Sequence, residues 1–95
     1  MDEKLLQEVL QHLTPQMRFL MSLVVGQNLT EIGLVKERIK HGLKDGKEVV
    51  FYPEEPSLTL ELEKLRKEKG AKWYSLLVKQ LNVIVDIIEK FEKQF

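Results

Sequence analysis

Apolar side chains recur at helical spacing from the beginning of the chain. Five of them share one helix face over about residues 2–13, and the early acidic residues suit a helix N-terminus. Thr14-Pro15 follows, and this pair is a favourable N-cap and first helical residue for a new helix. The pattern therefore predicts a short first helix and then a break. The five apolar residues are Leu5, Leu6, Val9, Leu10 and Leu13.

A second apolar stripe predicts a long helix over about residues 15–44. Asp45-Gly46 is a turn signal that ends it. Gly26 and Gly33 fall on nearly the same side of this helix. They either let another helix approach closely or break the helix, since each glycine costs about 1 kcal/mol relative to alanine. The stripe consists of Met17, Leu20, Met21, Val24, Asn28, Ile32, Val35, Ile39 and Leu43.

The segment over about residues 47–56 has no helical pattern. It is rich in β-branched and aromatic residues and ends in a turn-like Pro-Glu-Glu-Pro sequence. The segment is therefore predicted to be an extended arm or a short strand. Alternating leucines after it allow a hairpin over about 48–62. The leucines at 58, 62 and 65 also fit a helix capped by Ser57, and we favour that helical interpretation.

The last helix is predicted over about residues 57–94. Its apolar residues step by four and three, which is a heptad pattern, and further apolar residues widen the stripe beyond a two-stranded coiled coil. Gly70 lies in a polar stretch, and the pattern leaves open whether the helix is interrupted there. The heptad residues are Leu77, Leu81, Ile84, Ile88, Phe91 and Phe95.

These elements predict a mainly α protein with a single domain over residues 1–95. The expected architecture is a helical hairpin or bundle with two long helices, a short N-terminal helix and one extended or short β segment near 48–56. Two long helices leave apolar flanks that the short first helix cannot cover. We therefore expect a homodimer, with the six heptad residues as its self-association surface.

The charge balance argues against a dedicated nucleic-acid-binding protein. Fifteen Lys and Arg balance fifteen Asp and Glu, whereas binding to phosphates usually needs a basic excess. Two local basic clusters, around 36–47 and 64–72, nevertheless make a small nucleic-acid-associated protein the alternative. Trp73 and Tyr74 adjoin the second cluster and would stack on bases. The candidate residues are Lys36, Lys40, Lys44, Lys64, Arg66 and Lys67.

Residues for catalysis or for metal binding are sparse. His12 and His41 are far apart, and the chain has no cysteine, so no metal site is predicted. The serines lack the arrangement of a nucleophilic site. Residues 42–47 lack the glycine spacing and the Ser or Thr of a phosphate loop. We therefore expect no enzyme and no cofactor.

The chain has no signal-peptide pattern and no apolar run of the length that spans a membrane, about 20 residues. A cytoplasmic protein without membrane contact is therefore expected. Abundant Glu and Lys without Cys is common in proteins of thermophiles.

The predicted function is recognition. We expect a non-enzymatic, self-associating helical module for protein–protein interaction, or an adaptor. A protein partner would dock in an apolar groove or on the extended arm, where Phe51, Tyr52, Glu54 and Glu55 are the candidate contact residues.

Overall fold

The computed structural model describes residues 3–95, which form a mainly helical structure with one small sheet. The prediction of a mainly α fold is confirmed. A short 3-10 turn spans Pro56–Leu58. The elements are α1 Glu3–His12, α2 Thr14–Val25, α3 Leu29–Asp45, β1 Val49–Val50, β2 Thr59–Leu60, α4 Leu62–Lys69 and α5 Ala71–Glu92.

The predicted break before Pro15 separates α1 from α2. Leu13 occupies the turn between them and is buried. Pro15 lies in the first turn of α2, where its missing N–H removes no helical hydrogen bond. Thr14 is the first residue of α2 rather than its cap, and its hydroxyl donates to the carbonyl oxygen of Leu10 at 3.3 Å.

The prediction of one helix over 15–44 is wrong, because residues 26–28 separate α2 from α3. Gln27 has a φ of 52°, in the left-handed region that does not continue a helix. Asn28 then begins α3, since its side-chain oxygen accepts a hydrogen bond from the backbone N–H of Glu31 at 3.2 Å. The break lets α2 fold back and pack against α3.

The segment after α3 is a β-hairpin, so the prediction of a helix from Ser57 is wrong and the hairpin alternative is confirmed. β1 and β2 pair antiparallel, with Val49 opposite Leu60. Strand pairing satisfies backbone groups on both strands, and the alternation places Leu58 and Leu60 in the core. The following helix, α4, begins at Leu62.

Gly70 interrupts the C-terminal helical region. Its φ of 90° and ψ of 168° lie in a region that is essentially restricted to glycine. α4 therefore ends at Lys69, and α5 begins at Ala71 in a new direction. The C-terminal helix is therefore interrupted at Gly70, a point that the apolar pattern had left open.

α5 is the central element of the core, since it packs against α1, α3 and α4. The α3 face that meets it contributes Ile32, Val35 and Ile39, all of them fully buried. The heptad pattern of α5 thus faces the chain's own interior. Its buried residues are Trp73, Leu77, Leu81, Ile84, Val85 and Ile88.

Two basic side chains of α3 hold neighbouring elements in place. The ammonium group of Lys36 donates to Glu92 of α5 at 2.7 Å, and this hydrogen bond raises the pKa of Lys36. Arg38 donates both to Glu31, at 2.6 Å, and to the backbone carbonyl of Phe51, at 3.0 Å. The second contact ties the hairpin to α3.

Candidate interaction surface

An apolar groove runs between α2 and α5, with α3 at its floor. α2 forms one wall, the C-terminal half of α5 forms the other, and Ile32 of α3 lies between them. The groove has a volume of about 250 Å³, and none of its lining side chains is charged or offers a strong hydrogen-bonding group. The lining residues are Met17, Leu20, Met21, Val24, Ile32, Ile87, Ile88 and Phe91.

The apolar side chains at the two rims of the groove are unusually exposed to solvent. Met21 is 62% exposed and Ile87 is 54% exposed, on opposite sides of the groove. Helical spacing extends each rim by one turn, to Val25 on α2 (80% exposed) and to Val83 on α5 (45% exposed). We call the groove and these rims the α2/α5 surface.

The order of the helices explains why this face stays open. α1 packs on α5, whereas α2 turns away from α1 and packs on α3. The outer side of α2 is therefore not covered by any other element of residues 3–95, and neither is the side of α5 that carries Val83 and Ile87.

The composition of α2 departs from that of the rest of the chain. Between Leu13 and Thr30 the one charged residue is Arg18, although 32% of the whole chain is charged. A solvent-facing helix normally carries charged residues on its outer face, and a helix that is apolar on most sides is usually covered. This depletion of charge was visible in the sequence and would have pointed to α2.

Most of the predicted self-association residues are not available to a partner. Leu77, Leu81 and Ile84 are buried in the chain's own core, and Ile88, although buried, also contributes to the lining of the groove. These four residues stabilise the fold of the single chain, and their assignment to an exposed dimer surface is corrected.

The last two heptad residues have different surroundings. Phe91 is half-buried and lines the groove, whereas Phe95 is exposed and its ring centroid lies 5.0 Å from that of Phe91. Of the six heptad residues, Ile88 and Phe91 line the groove, whereas Ile87 on its exposed rim was not in the predicted set.

The predicted partner arm divides into a packed part and an exposed part. Phe51 is fully buried, and Tyr52 is half-buried with its ring centroid 5.1 Å from that of Phe19. These two aromatic side chains hold the hairpin on the helices and do not form an exposed contact surface. Glu54 and Glu55 are exposed in the turn.

The basic clusters are partly paired with acidic residues. Lys36 contacts Glu92 and also Glu37, at 3.8 Å, and Lys64 lies 3.9 Å from Glu68. The other candidates of the two clusters are exposed, and they are Lys40, Lys44, Arg66 and Lys67.

Of the two aromatic side chains beside the second cluster, Trp73 is buried and Tyr74 is half-buried. Trp73 is only 2% exposed, and the Lys69 ammonium lies 5.7 Å from its ring centroid. The Arg66 guanidinium lies 5.8 Å from the ring centroid of Tyr74. Base stacking on Trp73, which the nucleic-acid alternative invoked, therefore has no accessible ring to use.

The two histidines lie in different surroundings. His12 packs edge-on against the indole of Trp73, with ring centroids 5.4 Å apart. His41 lies beside Asp45, with a nitrogen–oxygen distance of 3.2 Å. Within residues 3–95 no group of three or more acidic or histidine side chains is arranged to hold a metal ion.

The stability of the protein is expected to fall on acidification because of His12. Burial against Trp73 and the charge of Lys69 lower the pKa of His12 below its ordinary 6.5. The unfolded chain therefore binds a proton at His12 more readily than the folded one, and stability is lost as the pH falls through the folded pKa. Urea unfolding measured between about pH 7.5 and about pH 5 should show this loss.

The test variant is His12→Gln. It should lose less of its free energy of unfolding than the wild type when the pH falls below about 6.5. Parallel pH profiles for the wild type and His12→Gln would refute the assignment.

None of the helices within residues 3–95 combines the length and apolar character that crossing a bilayer requires. Comparison of the chain with protein-family models, with curated proteins and with solved structures gave no match.

Proposed function

We propose that this chain is a non-enzymatic protein–protein interaction module whose working surface is the α2/α5 surface. The observation that carries the proposal is the continuous apolar groove with exposed apolar rims. Contiguous apolar patches on folded chains usually mark interaction sites, because leaving them in water is costly.

The shape of the groove suits the apolar face of a helix. Its two walls are helices, and its floor is a third helix, so a further helix laid along it would complete a layer of helix packing. Met17 and Met21 on the α2 wall have flexible side chains that adjust to a partner. The mechanism is recognition by burial of apolar surface, with no bond made or broken.

The alternative of nucleic-acid association receives less support. Trp73 is buried, Lys36 is held by Glu92, and the net charge of the chain is zero. Binding through the remaining exposed basic residues would be electrostatic and would weaken steeply with salt.

The proposed function is tested by photo-crosslinking from the groove. A benzophenone-bearing phenylalanine replaces Ile87 in the full chain, which is then irradiated in a lysate of the source cells. We expect a discrete covalent adduct with a polypeptide, and we expect Met21→Glu on the opposite rim to abolish it. The adduct should map to an apolar helix face of the polypeptide it captures.

The matched control places the same crosslinker at Ser75, an exposed position of α5. Because Ser75 is twelve residues before Ile87, it lies on a different side of the helix. Equal adducts from both positions, or none from position 87, would overturn the proposal.

A further inference from the structure

We infer that the occupant of the groove is α2 of a second copy of this chain, so that two copies form an isologous dimer through the α2/α5 surface. This inference rests on the proposed function and names the partner of the same site. The contact residues of the inferred dimer are those of the α2/α5 surface, in place of the heptad set that the sequence predicted for self-association.

The first reason is self-complementary shape. Met17, Met21 and Val25 follow one another at four-residue spacing and form an exposed apolar ridge along α2. That ridge borders the groove, so one face of the molecule carries both a projection and a concavity. An isologous interface needs this combination, because a two-fold rotation places the ridge of each copy on the groove of the other.

The second reason is the amount of exposed surface. The chain exposes 6430 Å², whereas a folded monomer of 11.2 kDa is expected to expose about 5,700 Å². The excess of about 700 Å² is close to the area that each partner buries in a standard protein–protein interface, about 800 Å². An interface of standard size with a second copy would therefore bring the exposed area per chain to about the value typical of its mass.

The third reason is charge. The net charge of zero gives two copies no overall repulsion. The lining of the groove carries no charged side chain, so two copies meet there without like-charge repulsion.

The inference is tested by sedimentation equilibrium of the purified full chain over a range of micromolar concentrations. We expect the wild type to reach twice its mass of 11.2 kDa. Met21→Glu and Ile87→Glu should each weaken the dimer at least about 30-fold, the loss typical of a residue at the centre of an interface. Both positions are exposed in the single chain, so far-UV circular dichroism should show an unchanged fold.

The control variant is Ser75→Glu, which adds the same charge to an exposed position of α5 on a different side of the helix. It should dimerise like the wild type. Because the interface is apolar, dimerisation should persist at about 1 M salt, where the Debye length is only about 3 Å. A wild type that stays monomeric, or groove variants that dimerise normally, would overturn the inference.

The two proposals fail in distinguishable ways. A monomeric wild type whose groove crosslinker still captures a different polypeptide would overturn the inferred dimer and leave the proposed function standing. If Met21→Glu and Ile87→Glu leave dimerisation unchanged, and no adduct forms from position 87, both proposals are overturned.

Discussion

Gly42→Ala is expected to lower the free energy of unfolding by about 3 kcal/mol or more, a large share of the roughly 5–15 kcal/mol that stabilises a typical domain. β1 crosses α3 directly over Gly42. A Cβ atom there would collide with the carbonyl oxygen of Glu48 and would lie 2.7 Å from Cγ2 and 2.9 Å from Cα of Val49. Two of these three atoms belong to the backbone, so no side-chain rotation relieves the contact.

Helix propensity alone predicts the opposite sign, since alanine stabilises a helix interior by about 1 kcal/mol relative to glycine. The steric cost outweighs the gain in helix propensity, because the backbone of the hairpin lies in close contact with α3 at Gly42. Thermal and urea unfolding followed by circular dichroism would measure the change.

The control for this prediction is Gly33→Ala, in the same helix. The added Cβ would meet only the carboxylate end of Glu92, at 3.2 Å, which can rotate away. We expect a change of less than about 1 kcal/mol in either direction. If Gly42→Ala lowers the free energy of unfolding no more than Gly33→Ala does, the hairpin does not pack closely on α3 at Gly42.

Phe51→Ala is expected to cost about 3–5 kcal/mol of stability, the usual range for removing a buried aromatic ring. Phe51 has no exposed surface and belongs to the core beneath the hairpin. The substitution leaves the hydrogen bond from Arg38 intact, because that bond goes to the backbone carbonyl. Equilibrium unfolding in urea gives the loss directly.

This result also separates two roles for the aromatic pair on the hairpin. If Phe51 served a partner, its removal would change binding and leave stability unchanged. Tyr52→Phe is the control, since it keeps the ring that packs beside Phe19 and should alter stability by less than about 1 kcal/mol. A stable Phe51→Ala variant would contradict the packing described for the hairpin.

The helices were predictable because each buries an apolar face at the 3.6-residue period. A helix break was one of the two interpretations of Gly26 and Gly33, but the predicted helix over 15–44 ran through residues 26–28. Asn28 falls in phase with the apolar stripe and was counted as part of it. Its capping role depends on a hydrogen bond to the backbone of Glu31, which the pattern does not reveal.

The hairpin was predicted only as the alternative to a helix from Ser57, for a different reason. The leucines at 58, 60, 62 and 65 fit both a strand followed by a helix and a single helix. The pairing of Val49 with Leu60 decides between them, and pairing across such a separation is a tertiary effect.

The groove could be predicted only in part. The sequence places Met21 and Ile87 on apolar faces, but periodicity cannot tell which face is covered by another element. That question is settled by the packing of α1, α3 and α4 on α5, while α2 packs on α3. The four buried heptad residues show how a regular apolar pattern can indicate an intramolecular contact as readily as a dimer.

The central position of α5 has a consequence for the synthesis of the protein. A ribosome makes α1, α2, α3 and the hairpin before α5, yet the apolar faces of α1 and α3 are covered only when α5 packs on them. Local helices can form on the nascent chain, but the core cannot close until residues 71–92 have left the exit tunnel. Until then the side of α3 that meets α5 lacks that cover, and exposed apolar surface of this kind makes an incomplete chain prone to aggregation.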